Sequence, residues 1–150
     1  MANNCCYDLL AKGSEYGIKK LYSYLKQVGT PESKFFRVWD FFPYDDDEII
    51  EDMGYGTFQL GGCGNCAWSL DHTFMHERLY GEGENTRPFI VWLSEFHGLT
   101  IELVSEEIGL GFSEHIIIDK GDICVNESRE IYGVEKDGKY TVVGTYEMTI

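Results

Sequence analysis

Two stretches of this chain repeat their apolar residues at the spacing of an amphipathic helix. Most of the other apolar runs are short and alternate or are rich in β-formers. That contrast between a period of 3.6 and a period of 2 restricts the fold to a mixture of sheet and a few helices. In the first helical stretch, Ile18, Leu21, Tyr22 and Leu25 lie at i, i+3, i+4 and i+7 behind Ser14, an N-cap residue type, which predicts a helix over 15–27. In the second, Phe89, Trp92, Leu93 and Phe96 repeat the spacing, with Thr86 as cap, Pro88 near the first turn and His97-Gly98 as stop.

The remaining runs read as strands. Residues 4–11 alternate Cys5, Tyr7 and Leu9 against Cys6, Asp8 and Leu10. Phe35–Phe42 is dense in β-formers and is stopped by Pro43; 57–60 and 66–70 are short strands flanking a Gly61–Asn65 turn. Gly81–Asn85 reads as loop, and 100–105 as a strand with one wetter face. Residues 112–119 and 122–127 form a hairpin at Lys120-Gly121, and 131–135 and 140–146 another at Asp137-Gly138. The order predicts a single α+β domain over 1–150 with an antiparallel sheet and both helices on one face. A ferredoxin-like split βαβ over about 1–127 and an extra C-terminal hairpin over 128–150 is the economical topology.

Charge narrows the function classes. The chain has 26 acidic and 12 basic residues, for a net charge of −14. Residues 1–34 hold five Lys against three acids, and 35–150 hold seven basic against 23 acidic residues. Direct nucleic-acid binding, which needs Lys and Arg on phosphates, is not expected. A basic partner is. Asp45–Asp52 packs six acids into eight residues, and no Lys or Arg occurs between Arg37 and Arg78. No apolar run reaches membrane-spanning length. The five cysteines, and an opening without a basic and apolar leader, point to a reducing cytoplasmic setting.

Met1-Ala2-Asn3-Asn4-Cys5, Cys66-Ala67-Trp68-Ser69 and Ser105-Glu106-Glu107-Ile108-Gly109-Leu110-Gly111-Phe112 together resemble small phage and plasmid proteins of the YubB type. The resemblance implies a ferredoxin-like domain and no catalytic residues. With the charge, and by analogy with acidic phage proteins that occupy nucleic-acid grooves, it implies a non-enzymatic, anti-CRISPR-like inhibitor of a basic, nucleic-acid-handling host factor. The expected contact residues are Asp45, Asp46, Asp47, Glu48, Glu51, Asp52, Glu106 and Glu107.

Other chemistries have candidate residues in the chain. No cofactor is expected. Cys63-x2-Cys66 with His72-x3-His76 supplies four ligands of the type that holds tetrahedral zinc, although only five residues separate Cys66 from His72. A redox role for Cys63 and Cys66 lacks the helix N-terminus that lowers a thiol pKa. A cysteine nucleophile, Cys63 or Cys124 beside His72, His76, His97 or His115, is the remaining enzymatic alternative. Gly54, Gly56, Gly61, Gly62 and Gly64 lack the lysine of a phosphate loop, the acid run lacks the calcium-loop pattern, and Glu106, Glu107 and Glu114 read as solvated.

Overall fold

The computed structural model describes residues 4–76 and 86–150, so the Gly81–Asn85 loop and residues 1–3 of the opening motif lie outside the described residues. The chain runs through β1 (Asn4–Gly13), α1 (Glu15–Leu25), β2 (Phe42–Pro43), β3 (Ile50–Gly54), β4 (Thr57–Ala67) and α2 (Phe89–His97). It continues through β5 (Thr100–Glu107), β6 (Phe112–Asp119), β7 (Asp122–Glu130), β8 (Tyr132–Lys136) and β9 (Lys139–Val143). A seven-stranded sheet is ordered β2-β4-β1-β5-β6-β7, with β3 also on β4; β8 and β9 pair separately. Every pairing is antiparallel. The class is therefore α+β with an antiparallel sheet.

The core lies on one face of that sheet, where the period-2 alternation places it. Cys5, Tyr7, Leu9 and Ala11 of β1 share this face with Leu60 and Cys66 of β4, Ile101 and Leu103 of β5, and Ile116 and Ile118 of β6. Ile18, Leu21 and Leu25 of α1 and Ile90 and Leu93 of α2 join the same buried cluster. Each Leu or Ile among them, removed from water, stabilises the fold by about 1.5–3 kcal/mol. Ser14 caps α1, its hydroxyl accepting from the Gly17 N–H at 3.1 Å. Gly98 ends α2 in the left-handed conformation, at φ 64°. Both hairpin turns form as read, with positive φ at Lys120-Gly121 and Asp137-Gly138. No helix among the described residues is long and apolar enough to cross a membrane.

Three expectations fail. Phe35–Phe42 is not a strand: Arg37 turns into the left-handed region, and the segment's ladder pairing with the sheet is confined to a Val38–Cys66 bridge and the two-residue β2. Gly61–Asn65 is not a turn but the middle of β4, which runs unbroken from Thr57 to Ala67 and ends where Trp68 takes φ 69°. The glycines are there because residues 40–44 press onto that strand. A Cβ on Gly62 would sit 2.4 Å from the Phe41 ring, and one on Gly64 2.2 Å from the Asp40 carbonyl oxygen. Finally, α2 starts at Phe89, after Pro88, with no side-chain cap from Thr86. Its buried face is Phe89, Ile90, Val91, Leu93 and Ser94, which leaves Phe96 67% exposed and Trp92 partly buried, stacked between Phe89 and Phe96.

Candidate functional site

The acid run leaves β2 and enters β3, the strand that shares with β2 the outer edge of β4. Its conformation is set by its own carboxylates. Asp45 accepts from the Asp47 N–H at 2.9 Å and the Glu48 N–H at 3.3 Å, forming the kind of turn that aspartate favours. Asp52 accepts from the Gly54 N–H at 2.9 Å and shapes the turn into β4. Glu51 and Asp52 stand opposite Gln59 and Phe58.

Asp45, Asp46, Asp47, Glu48, Glu51 and Asp52 are all exposed. Among the described residues, the ion pairs join Lys19 to Glu15, Arg87 to Glu95, and His115 to Glu102 and Glu127, so no described base is paired with the run. Exposed apolar side chains flank it along the chain: Phe42, Tyr44, Met53 and Tyr55. The Tyr44 hydroxyl donates to the Asp8 carboxylate. Burial first, and that bond second, push the phenol pKa up. A shallow cavity of about 90 Å³ lies between the loop and the sheet, lined by Leu10, Tyr44, Glu48, Ile49 and Gln59 among others. The surface is thus dense uncompensated negative charge with aromatic side chains beside it, a composition suited to a basic protein surface.

Glu106 and Glu107 do not extend this surface. They lie on β5, separated from β3 by β4 and β1, about 14 Å away at ordinary strand spacing. Glu106 is half-buried. Glu107 is buried and closes the turn after its own strand, accepting from the Gly109 N–H at 2.9 Å and the Leu110 N–H at 2.6 Å. Glu114, read as solvated, is buried as well. It accepts from the backbone N–H groups of Leu70 at 2.8 Å and Asp71 at 3.2 Å, and from the Ser105 hydroxyl at 2.9 Å. It thereby holds the 70–75 turns against the core face.

The Cys-His constellation is not assembled either. In a strand, residues i and i+3 point to opposite faces, so Cys66 enters the core while Cys63 stays half-buried on the other side. His72 and His76 pack against Phe36, with His72 Nε2 and His76 Nδ1 buried and unpartnered. Among the described residues, no three His, Cys, Asp or Glu side chains are placed to share a metal ion. As a nucleophile, Cys63 is tuned in the wrong direction: burial, then the carboxylates of Asp8 and Asp40, raise its pKa. Cys124 is exposed on β7 and donates to the Asp122 carbonyl at 3.6 Å. His97 is held low by burial and by Lys20.

One polar cluster escaped the sequence reading. Glu102 of β5 is fully buried on the face opposite the core. Its carboxylate takes His115 Nε2 at 2.5 Å, the Thr149 N–H at 2.7 Å and hydroxyl at 2.8 Å, and the Ile150 N–H at 3.0 Å. Burial pushes this carboxyl up, but the bonds from Ile150, His115 and Thr149 together outweigh it and hold the pKa below the usual value. Residues 145–150 therefore lie across the back of β5 and β6. Tyr146 packs over His115 and the Arg129 guanidinium stacks on Tyr146, beside an open groove of about 580 Å³. The only hint in the sequence was a glutamate between Ile101 and Leu103 with a histidine in the next strand. No family model, curated protein or solved structure matches the chain.

Proposed function

We propose that the protein is a non-enzymatic binding module that engages a basic, nucleic-acid-handling host factor through the acidic edge formed by Asp45, Asp46, Asp47, Glu48, Glu51 and Asp52. The observation that carries this reading is that all six carboxylates are exposed, and no base among the described residues pairs with them. Closely spaced fixed negative charge attracts a phosphate-binding groove and accelerates its approach. The aromatic side chains beside it supply apolar anchor area. An anti-CRISPR-like, cytoplasmic role follows by analogy from the YubB-type resemblance and the charge. Glu107 has no part in this surface, because its carboxylate is engaged in its own turn.

The antiparallel order β3-β4-β1-β5, with α1 between β1 and the β3–β4 pair and α2 between β4 and β5, supports the ferredoxin-like split βαβ arrangement as the frame for this edge. The test is capture from host lysate with the wild type and with a variant carrying Asp45→Asn, Asp46→Asn, Asp47→Asn and Glu48→Gln. A basic protein retained by the wild type, released by salt or by its own nucleic acid and lost by the variant supports the reading. A partner held equally by both at high salt overturns it.

A further inference from the structure

Cys66 has a thiol neighbour, and it is not Cys63. In the antiparallel ladder of β1 and β4, Cys5 stands directly opposite Cys66. Both side chains face the core, both are 0% exposed, and both thiols are free. The two thiols perturb each other: Cys66 pushes the Cys5 pKa up, and Cys5 brings that of Cys66 down. Directly opposed residues of an antiparallel pair have Cα atoms about 4.5–5.5 Å apart, inside the span of about 4.4–6.8 Å that a disulfide bridges. The other thiols have no such arrangement. Cys6 lies on the reverse face opposite Asn65, Cys63 lies opposite Asp8, and Cys124 is exposed on β7.

We propose that Cys5 and Cys66 are an oxidation site, a buried cross-strand dithiol that a small hydroperoxide converts to a disulfide. Cys66 is the attacking sulfur, because beside Cys5 its thiol pKa is held below the ordinary value while that of Cys5 is pushed above it. Its sulfur attacks one peroxide oxygen, the O–O bond breaks, a sulfenic acid forms at Cys66, and hydroxide leaves to be protonated as water. The Cys5 sulfur then attacks the Cys66 sulfur. The S–S bond forms, the S–O bond breaks, and the departing hydroxide takes the Cys5 proton to leave as a second water. Two thiols lose two electrons in all, and hydrogen peroxide gains them. Full burial selects the oxidant: a molecule little larger than water reaches the pair during local opening, whereas a peptide disulfide such as oxidised glutathione does not. The bond ties the first strand to the middle of the chain and removes freedom from the unfolded state, so the oxidised protein melts higher than the reduced one.

The experiment treats the reduced full-length protein with hydrogen peroxide or with oxidised glutathione, followed by intact mass and non-reducing peptide mapping. It is repeated on a Cys6→Ser, Cys63→Ser double variant, which leaves the core untouched. The expected result is loss of two hydrogens with peroxide but not with oxidised glutathione. Peptides containing Cys5 and Cys66 are joined in both proteins, and Tm rises by several degrees, reversed by a thiol reductant. Linkage that vanishes in the double variant, a Cys6–Cys63 bond, or oxidation confined to Cys6 and Cys124 while Cys5 and Cys66 stay reduced overturns the proposal.

Discussion

Glu102, Glu107 and Glu114 carry the same functional group as Asp45, Asp46, Asp47 and Glu48, yet the two sets do opposite work. The first three sit on β5 and β6, buried, and each accepts at least two hydrogen bonds from backbone N–H groups of turns or of the chain end. The others sit in water at the sheet's outer edge, where among the described residues only Asp45 accepts bonds, both from its own turn. A buried carboxylate is tolerated where donors converge on it, and the segments supplying them become fixed. An exposed one leaves its field free to act outward. What separates the sets is the donors around each carboxylate; the side-chain chemistry is the same.

The comparison breaks most visibly at Glu114. Glu114→Ala strips an acceptor from two backbone N–H groups and the Ser105 hydroxyl, so a loss of about 3–5 kcal/mol in denaturant unfolding is expected. A loss under about 1 kcal/mol would mean that water replaces the carboxylate and that the buried set is no different from the exposed one. Next in size is Gly62→Ala. Its new methyl meets the Phe41 ring and the Phe42 carbonyl oxygen, and a cost of about 1–3 kcal/mol is expected from displacing residues 40–44, the approach to the acidic loop.

Glu102 sharpens the comparison through pH. Its folded pKa is lower than the unfolded value, so its contribution is complete above the ordinary carboxylate range. It is lost only as pH falls through the depressed folded value. Amide exchange at Thr149 and Ile150 should stay slow at pH 5 and accelerate below the ordinary range. In Glu102→Gln, which removes the titrating charge, protection of these two amides should fall by roughly tenfold, equivalent to about 1.4 kcal/mol, and lose that acid dependence. Equal protection in both proteins would detach the tail from Glu102. The smallest effect belongs to the exposed set. Each of Asp46→Asn, Asp47→Asn and Glu48→Gln should change stability by no more than about 0.5 kcal/mol, measured by the same unfolding curves. A larger loss would show that the acidic edge is part of the fold's support.

Local signals carried much of the architecture. The stripe of α1 with its Ser14 cap, the Lys120-Gly121 hairpin and the alternation of β1 depend on neighbours within a few residues, and each formed where it was expected. The second helix was legible in place but not in rotation. Phe89, Trp92, Leu93 and Phe96 match the spacing, but Ile90 and Val91 compete for the same core, and packing turned Phe96 outward. The acidic edge was visible as composition, and its exposure followed from the cost of desolvating six neighbouring charges.

Three features came from contacts distant along the chain. The Gly61–Asn65 run has the composition of a turn, and only the passage of residues 40–44 over it makes glycine a strand requirement. Cys63 and Cys66 share a motif in the sequence, but the period of a strand sends them to opposite faces, and register pairs Cys66 with Cys5. Glu102 differs from the exposed acids because residues 149 and 150 return to it. By itself, the sequence determined the class of fold, its hairpins, the first helix and the sign of its charge, since propensity, periodicity and composition act over short range. Only the tertiary structure decided which glycines are strand, which thiols meet and which carboxylates face water, because each of those depends on what a remote segment places against the residue.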